Sequence, residues 1–203
     1  MTATLSLLFR NDSGRPGAVC VYQRCPEIEA AGGQPVAWIT KSVAPSTNVL
    51  LSWTTDHDFV WREALQLSPT VAIQAWQAWP ADLAGNNQIT VTREQRFYTF
   101  ADQTKAPQPG SLVILTDANI APDVLSIGIG TGDMVTFISA ATPGLTRTFV
   151  PEATYWIAFG DFVMGQVIDP QSIASTVELP FSSVITEIVA VVEADESWRI
   201  RAF

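Results

Sequence analysis

The lone histidine of the chain, His57, stands between Asp56 and Asp58. An imidazole beside carboxylates is the raw material of a general base or a metal ligand. A catalytic triad would also need an activated serine, whose usual setting is a Gly-x-Ser-x-Gly elbow, and the sequence contains none. In an extended chain Asp56 and Asp58 point away from the face that carries His57, so the three do not converge on one ion. Together with Thr54 and Thr55 the three residues read as a polar turn, with Asp56, His57 and Asp58 as candidate surface contacts.

Other chemistry-bearing groups have simpler readings. Asp56, Asp58 and Glu63 could pair with Asp161 or Asp169 for acid–base work, but no spacing favours it, and acidic loops on an acidic chain are solvated. Gly128, Gly130 and Gly132 have the look of a phosphate-cradling loop. Such a loop opens a helix, whereas the run here leads into a strand pattern and reads as a turn or bulge. Cys20 and Cys25, the only cysteines, lack further zinc ligands and the Cys-x-x-Cys spacing, and read as reduced, partly buried thiols. The expectation is no cofactor, no metal and no catalytic set.

Seven tryptophans form the most informative group. Trp38 and Trp156 lie in apolar strand patterns and suit a core. Trp76 and Trp79 flank Gln77 and Ala78 where a strand enters a loop running to Asn87, and rings placed there could meet a sugar, a lipid interface or another subunit.

The elements that must position these residues are strands. Apolar and polar positions alternate with a period of two along most of the chain, helical spacing is scarce, and turn residues separate the runs. Some sixteen strands are expected, with helix confined to short turns such as 169–173. The class is all-β, an antiparallel β-sandwich. Ser6 to Phe9 is echoed by Ser111 to Ile114, Pro16 to Val21 by Pro122 to Ile127, Val36 to Thr40 by Val135 to Ser139, and Phe97 with Thr99 by Trp198 with Ile200. That order predicts two sequence-duplicated halves, about 1–104 and 111–203, related by a pseudo-twofold axis and joined by a proline-rich linker at 101–110. Residues 1–203 are expected to form one domain, with two small β-sandwich domains as the alternative.

The net charge is −9, and residues 105–203 hold four basic against eleven acidic groups. With no Lys/Arg cluster to displace counterions, nucleic acid is excluded as a partner. No stretch approaches the ~20 apolar residues of a transmembrane helix. The first ten residues lack the basic start and ~7-residue apolar run of a signal peptide, which points to a cytoplasmic protein or one secreted without a conventional signal.

Two segments carry a family resemblance. Leu50 to Glu63, with Trp53, Phe59 and Trp61, and Tyr155 to Asp169, with Trp156, Phe159, Gly160 and Gly165, resemble the aromatic signatures of the RhiA-like family of rhizosphere-expressed, quorum-sensing-controlled bacterial proteins. Asn11 to Gly14, Cys20 to Gln23 and Pro151 are also of its kind, so the likeness spans nearly the whole chain. The resemblance brings no agreed catalytic residues. With no credible nucleophile, base or metal set, the leading reading is a non-enzymatic bacterial protein similar to that family, acting by self-association as a homo-oligomer or by binding a partner. A lipid- or glycan-recognition module using Trp76 and Trp79 is the alternative, and an enzyme with a cleft near His57 is the third reading.

Overall fold

A computed structural model describes residues 3–63, 67, 72, 77–151 and 154–203. The chain is all-β. The strands of the first part are β1 (Thr4–Asn11), β2 (Gly17–Arg24), β3 (Gln34–Pro35), β4 (Ile39–Val43), β5 (Thr47–Thr54), β6 (His57–Glu63), β7 (Gln77–Ala81), β8 (Gln88–Glu94) and β9 (Phe97–Thr104). Those of the second part are β10 (Leu112–Thr116), β11 (Leu125–Thr131), β12 (Met134–Ala140), β13 (Thr146–Phe149), β14 (Thr154–Gly160), β15 (Thr176–Leu179), β16 (Glu187–Val192) and β17 (Trp198–Ala202). The strand pattern of the sequence matches most of this closely. The expected run at 71–77 lies largely outside the described residues.

The expected helical turn at 169–173 is an Asx turn instead, in which Asp169 Oδ1 accepts the Gln171 N–H at 3.0 Å. A short helix, α1 (Pro26–Ala30), forms elsewhere, with proline in its first turn and Glu27 and Glu29 near its positive end. The linker is also shorter than expected. β9 runs on to Thr104, and the connection that follows is pinned by buried Asn87, whose Oδ1 accepts the Ala106 N–H and whose amide donates to the Ser111 carbonyl.

Four sheets form, rather than the two facing sheets implied by a plain sandwich. Their orders are β17-β16-β1-β5, β15-β14-β2-β4, β3-β12-β11-β6-β7 and β13-β10-β8-β9. Every sheet takes strands from both sides of the linker. Pairing is antiparallel except at two places, where β1 runs parallel to β16 and β8 parallel to β10. Burial distinguishes the layers. All seven residues of β11 are buried, as are the six central residues of β2, so their two sheets are covered on both faces. In β1 and β8 burial alternates with partial or full exposure, so the sheets of β1 and β8 each present one face to solvent and pack the other inward.

Two main cores result. One joins Leu7, Phe9, Leu51 and Trp53 to Val19, Val21, Trp38 and Ile157. Its aromatic centre sets Trp53 at 5.5 Å from Trp38, 5.6 Å from Tyr155 and 5.4 Å from Phe181, with Trp38 and Phe181 edge-on. The other joins Phe59, Trp61, Ile127 and Phe137 to Ile89, Val91, Phe100, Leu112 and Ile114. Each core therefore draws on two sheets, and on residues from both sides of the linker.

The two inner sheets are stitched together by the segment Pro35 to Trp38. The Val36 N–H donates to the Thr136 carbonyl of β12 at 3.1 Å, and the Trp38 N–H donates to the Val21 carbonyl of β2 at 3.1 Å. Between them, the Ala37 N–H reaches the Gln166 carbonyl at 2.7 Å and the Pro35 carbonyl accepts the Ile168 N–H at 2.8 Å. Buried backbone groups that would cost free energy unpaired are thus satisfied where no regular ladder runs.

The Gly128 to Gly132 run is a bulged strand and turn, as the sequence suggested. The register of β11 against β12 shifts between Ile129 and Gly130, and Gly132 and Asp133 turn with φ of 59° and 64°. A Cβ at Gly128 would collide with the Phe137 carbonyl oxygen. Gly128→Ala should therefore cost about 1–3 kcal/mol by urea denaturation, as overpacking of a tight interior does. Gly85→Ala, where the nearest atom is 3.5 Å away, should change stability by less than about 0.5 kcal/mol. Equal effects at the two positions would contradict the packing described.

Candidate functional site

His57 opens β6 and is paired across the ladder with Ala81, so it begins a strand and does not sit in a free turn. The groups that act on its imidazole are the carboxylates of Asp56 and Asp58; neither a serine hydroxyl nor a thiol is among them. Asp58 is itself engaged: buried to 5% exposure, it accepts the Asp133 N–H at 2.9 Å. The Asp56 carbonyl accepts the Thr131 hydroxyl at 2.9 Å, and the Asp56 carboxylate is bonded to Thr54 Oγ1. This cluster latches the tight β11–β12 turn onto the start of β6. No group of three or more His, Cys, Asp or Glu side chains suited to a metal ion occurs among the described residues.

Trp79 faces inward. It lies opposite Phe59 in the β6–β7 ladder, and its half-buried ring packs 6.0 Å from Phe100. Trp76 lies outside the described residues. Both cysteines are free and buried, Cys20 against Tyr22 and Ala158 and Cys25 in the core of Phe59 and Ile114. Burial pushes both thiols up in pKa, which removes thiolate character at neutral pH.

Sequence reasoning missed two features. The first is a cleft of about 300 Å³ lined by Trp61, Glu63, Gln77, Phe97 and Tyr98. Trp61 and Glu63 come from the end of β6 and Gln77 from the start of β7, while Phe97 and Tyr98 begin β9 in the facing sheet. The cleft is thus the open mouth between two layers. The Trp61 and Tyr98 rings stand 6.2 Å apart at 73°, two nearly perpendicular walls. Gln77 Oε1 holds the Trp61 ring, accepting its indole N–H at 2.6 Å, and also accepts the Phe100 N–H at 3.1 Å. Phe97 is 68% exposed at the rim.

The second is the solvent face of the β17-β16-β1-β5 sheet. Register places Leu50, Leu8, Val189 and Arg201 in one row across it, and Asn48, Arg10, Val191 and Arg199 in the next. Leu50 is 64% exposed, and a shallow concavity of about 300 Å³ lies among Arg10, Asp12, Val189, Val191, Arg199 and Arg201. Arg10 pairs with Asp12 at 2.8 Å and Arg199 with Glu193 at 2.6 Å, which leaves Arg201 without an ion pair among the described residues. Neither feature has a local sequence signal, because each gathers residues from distant strands.

A third concavity, of about 310 Å³, holds Arg24, Glu29, Gln34 and Asp169. Its charges are already matched. Arg24 pairs with Glu29 at 3.0 Å and lies 5.6 Å over the Trp156 ring, and Asp169 is committed to the Asx turn.

The electrostatics at the start of β6 give a pH dependence. Burial lowers the His57 pKa below its ordinary 6.5, with Asp56 and Asp58 only partly opposing, and burial raises that of Asp58. Above pH 6.5 His57 is neutral folded or unfolded. As pH falls below 6.5 the unfolded chain takes up a proton that the folded one refuses, so stability declines until the folded value is passed. Asp58 acts in the opposite sense, because its folded form holds a proton more tightly as pH falls through its raised value. His57→Gln should therefore flatten the decline of the urea midpoint just below pH 6.5 and leave the more acidic behaviour intact. Parallel wild-type and variant profiles would contradict the burial assigned to His57.

Comparison with known proteins follows the whole chain. The RhiA family model matches residues 2–202. Protein RhiA of Rhizobium leguminosarum bv. viciae is 31% identical over 198 residues, covering 96% of this chain and 85% of that protein. No solved structure matches. The chain belongs to the RhiA family.

Proposed function

We propose that the protein works through its surface by self-association, without chemistry of its own, and that copies meet at the solvent face of the β17-β16-β1-β5 sheet. The observation that carries this reading is a charge contrast. On a chain of net charge −9, Arg10, Arg199 and Arg201 gather beside exposed Leu50 and Leu8. Such a face repels its own copy and suits the acidic remainder of another molecule. The contact is therefore heterologous, and heterologous contacts that do not close into a ring grow into open assemblies.

The size of the face sets the strength. Four strands about 4.8 Å apart, rising about 3.3 Å per residue, offer on the order of 500 Å². That is below the roughly 800 Å² per partner of a stable interface, so association is weak and concentration-dependent. Arginine supplies the reach, and the leucines supply the apolar area removed from water.

We also infer that the two halves are duplicates related by a pseudo-twofold axis. Exchanging β1 for β10, β5 for β13, β16 for β8 and β17 for β9 turns one outer sheet order into the other, parallel pair included. Exchanging β2 for β11, β4 for β12, β14 for β6 and β15 for β7 relates the inner sheets in the same way. Register refines the sequence correspondence. Val192 lies opposite Trp198 and Val91 opposite Phe100, so the counterpart of Trp198 is Phe100 and not the exposed Phe97.

Light scattering tests the self-association. Mass-average size should rise with concentration beyond a dimer at low salt and fall toward the monomer in 1 M salt, where charges are screened beyond about 3 Å. Arg201→Glu and Leu50→Glu should each hold the protein monomeric at low salt. A monomer at every concentration, or assembly indifferent to both substitutions, would overturn the reading.

A further inference from the structure

We propose that the open edge of β5 pairs antiparallel with β5 of a second copy, fusing two four-stranded outer sheets into one continuous sheet. This pairing rests on the self-association through the arginine face and adds a second contact to it, made by a strand edge in place of a sheet face.

An open sheet ends in two edge strands, whose unpaired N–H and C=O groups invite another strand unless something blunts them. Among the described residues the four sheets end in eight such strands. All but one carry a blunting residue. β3 and β7 contain Pro35 and Pro80, β4 and β17 contain Lys41 and Arg199, and β9, β13 and β15 contain Asp102, Arg147 and Glu178. The exception is β5, which is 8 residues long and has neither proline nor charge. On a chain of net charge −9, an uncharged edge is one that a second copy can approach.

The ladder shows which backbone groups face outward. The Ser6 N–H donates to the Thr186 carbonyl and the Asp12 N–H to the Val192 carbonyl, both at 2.9 Å, so even-numbered residues of β1 turn toward β16 and odd-numbered ones toward β5. Leu7 and Phe9 of β1 lie opposite Leu51 and Val49. In an antiparallel pair this alternation leaves Asn48, Leu50, Ser52 and Thr54 with their N–H and C=O groups directed at the open edge. No second strand pairs with them among the described residues, and all four are exposed.

A register centred on Leu51 sets Leu50 of one copy opposite Ser52 of the other, and Asn48 opposite Thr54. Two bonds for each of four pairs give about eight backbone hydrogen bonds. The two exposed Leu50 side chains then stand diagonal to each other and leave water in part. Antiparallel copies are related by a twofold axis normal to the sheet, so both arginine strips face the same way. Three strand spacings, about 14 Å, separate the two β1 strands that carry Arg10, beyond the ~10 Å screening length at 0.1 M salt. The fused sheet doubles the outer face to on the order of 1,000 Å², above the roughly 800 Å² per partner that a single face does not reach. A lone pair of strands is marginal in water, but copies already held by the face contact meet at raised effective concentration. Each contact therefore strengthens the other.

Hydrogen exchange read at single residues compares the dilute monomer with the assembled full chain in about 0.1 M salt. The Leu50 and Ser52 amides should exchange fast in the monomer and at least about tenfold more slowly in the assembly, whereas those of Leu51 and Trp53, bonded to β1, should be slow in both. Light scattering of edge variants runs in parallel. Ser52→Pro removes an outward N–H without breaking the β1 ladder, and Ser52→Lys puts a charge on the edge. Each should raise the concentration needed for assembly at least about fivefold and leave the residual association sensitive to salt. Ser52→Ala, which keeps the N–H, should assemble as the wild type does, and the lysine variant carries the test if proline disturbs the fold. Leu50 and Ser52 amides that exchange equally fast in monomer and assembly, or assembly indifferent to both Ser52→Pro and Ser52→Lys, would overturn the edge pairing and leave the face contact standing. A wild-type chain that never assembles would overturn both.

Discussion

The structure depends on pairing between the two ends of the chain. β1 lies between β5, its neighbour in sequence, and β16, more than 170 residues away, and β10 lies between β13 and β8 in the same manner. Parallel pairs cannot be closed by a hairpin; β1 with β16 joins the two ends of the chain in one ladder, and β8 with β10 joins strands on either side of the linker. The first core needs Leu7 and Phe9 from the beginning of the chain together with Ile188, Ala190 and Val192 from near its end. Neither half can bury its apolar faces alone. Loop-closure entropy must be met before these contacts form, which makes the fold slow to assemble and all-or-none once assembled.

That constraint also decides where function can lie. The inner sheets are covered on both faces, and the groups that attract attention in the sequence are drawn into them. Cys20 of β2 packs with Ala37, Ala158 and Ile168, Asp58 holds the β11–β12 turn, and Trp38 and Trp53 form an aromatic centre with Tyr155 and Phe181. The two segments that carry the family signature meet here, since Trp53 belongs to one and Tyr155 to the other. Their aromatic pattern marks packing more than a site. By contrast, Leu50 and Arg201 on the solvent face of an outer sheet, and Phe97 and Glu63 at the mouth between layers, reach water.

Much of the fold was legible in the sequence because strand alternation is local. Met134 to Ala140 and Leu112 to Thr116 read as strands from their own residues and are strands. Partner choice is not local, and a period of two says nothing about whether the neighbour runs parallel, so β1 with β16 and β8 with β10 were invisible. Val36 to Trp38 has the apolar character of a strand but serves as a strut between two sheets. α1 was overlooked although Pro26, Glu27 and Glu29 are its ordinary signals. Trp79 looked like a loop aromatic because Pro80 follows it; cross-strand pairing with Phe59 turns it inward. The cleft could not be read at all, since Glu63 and Phe97 are joined only by the facing of two sheets.

Native-state hydrogen exchange, followed strand by strand in rising denaturant, tests the dependence on cross-half pairing most directly. The account predicts that amides of β1 and β16, and those of β8 and β10, lose protection together in one step with a common free energy. Strands after the linker that stay protected while those before it exchange freely would contradict it.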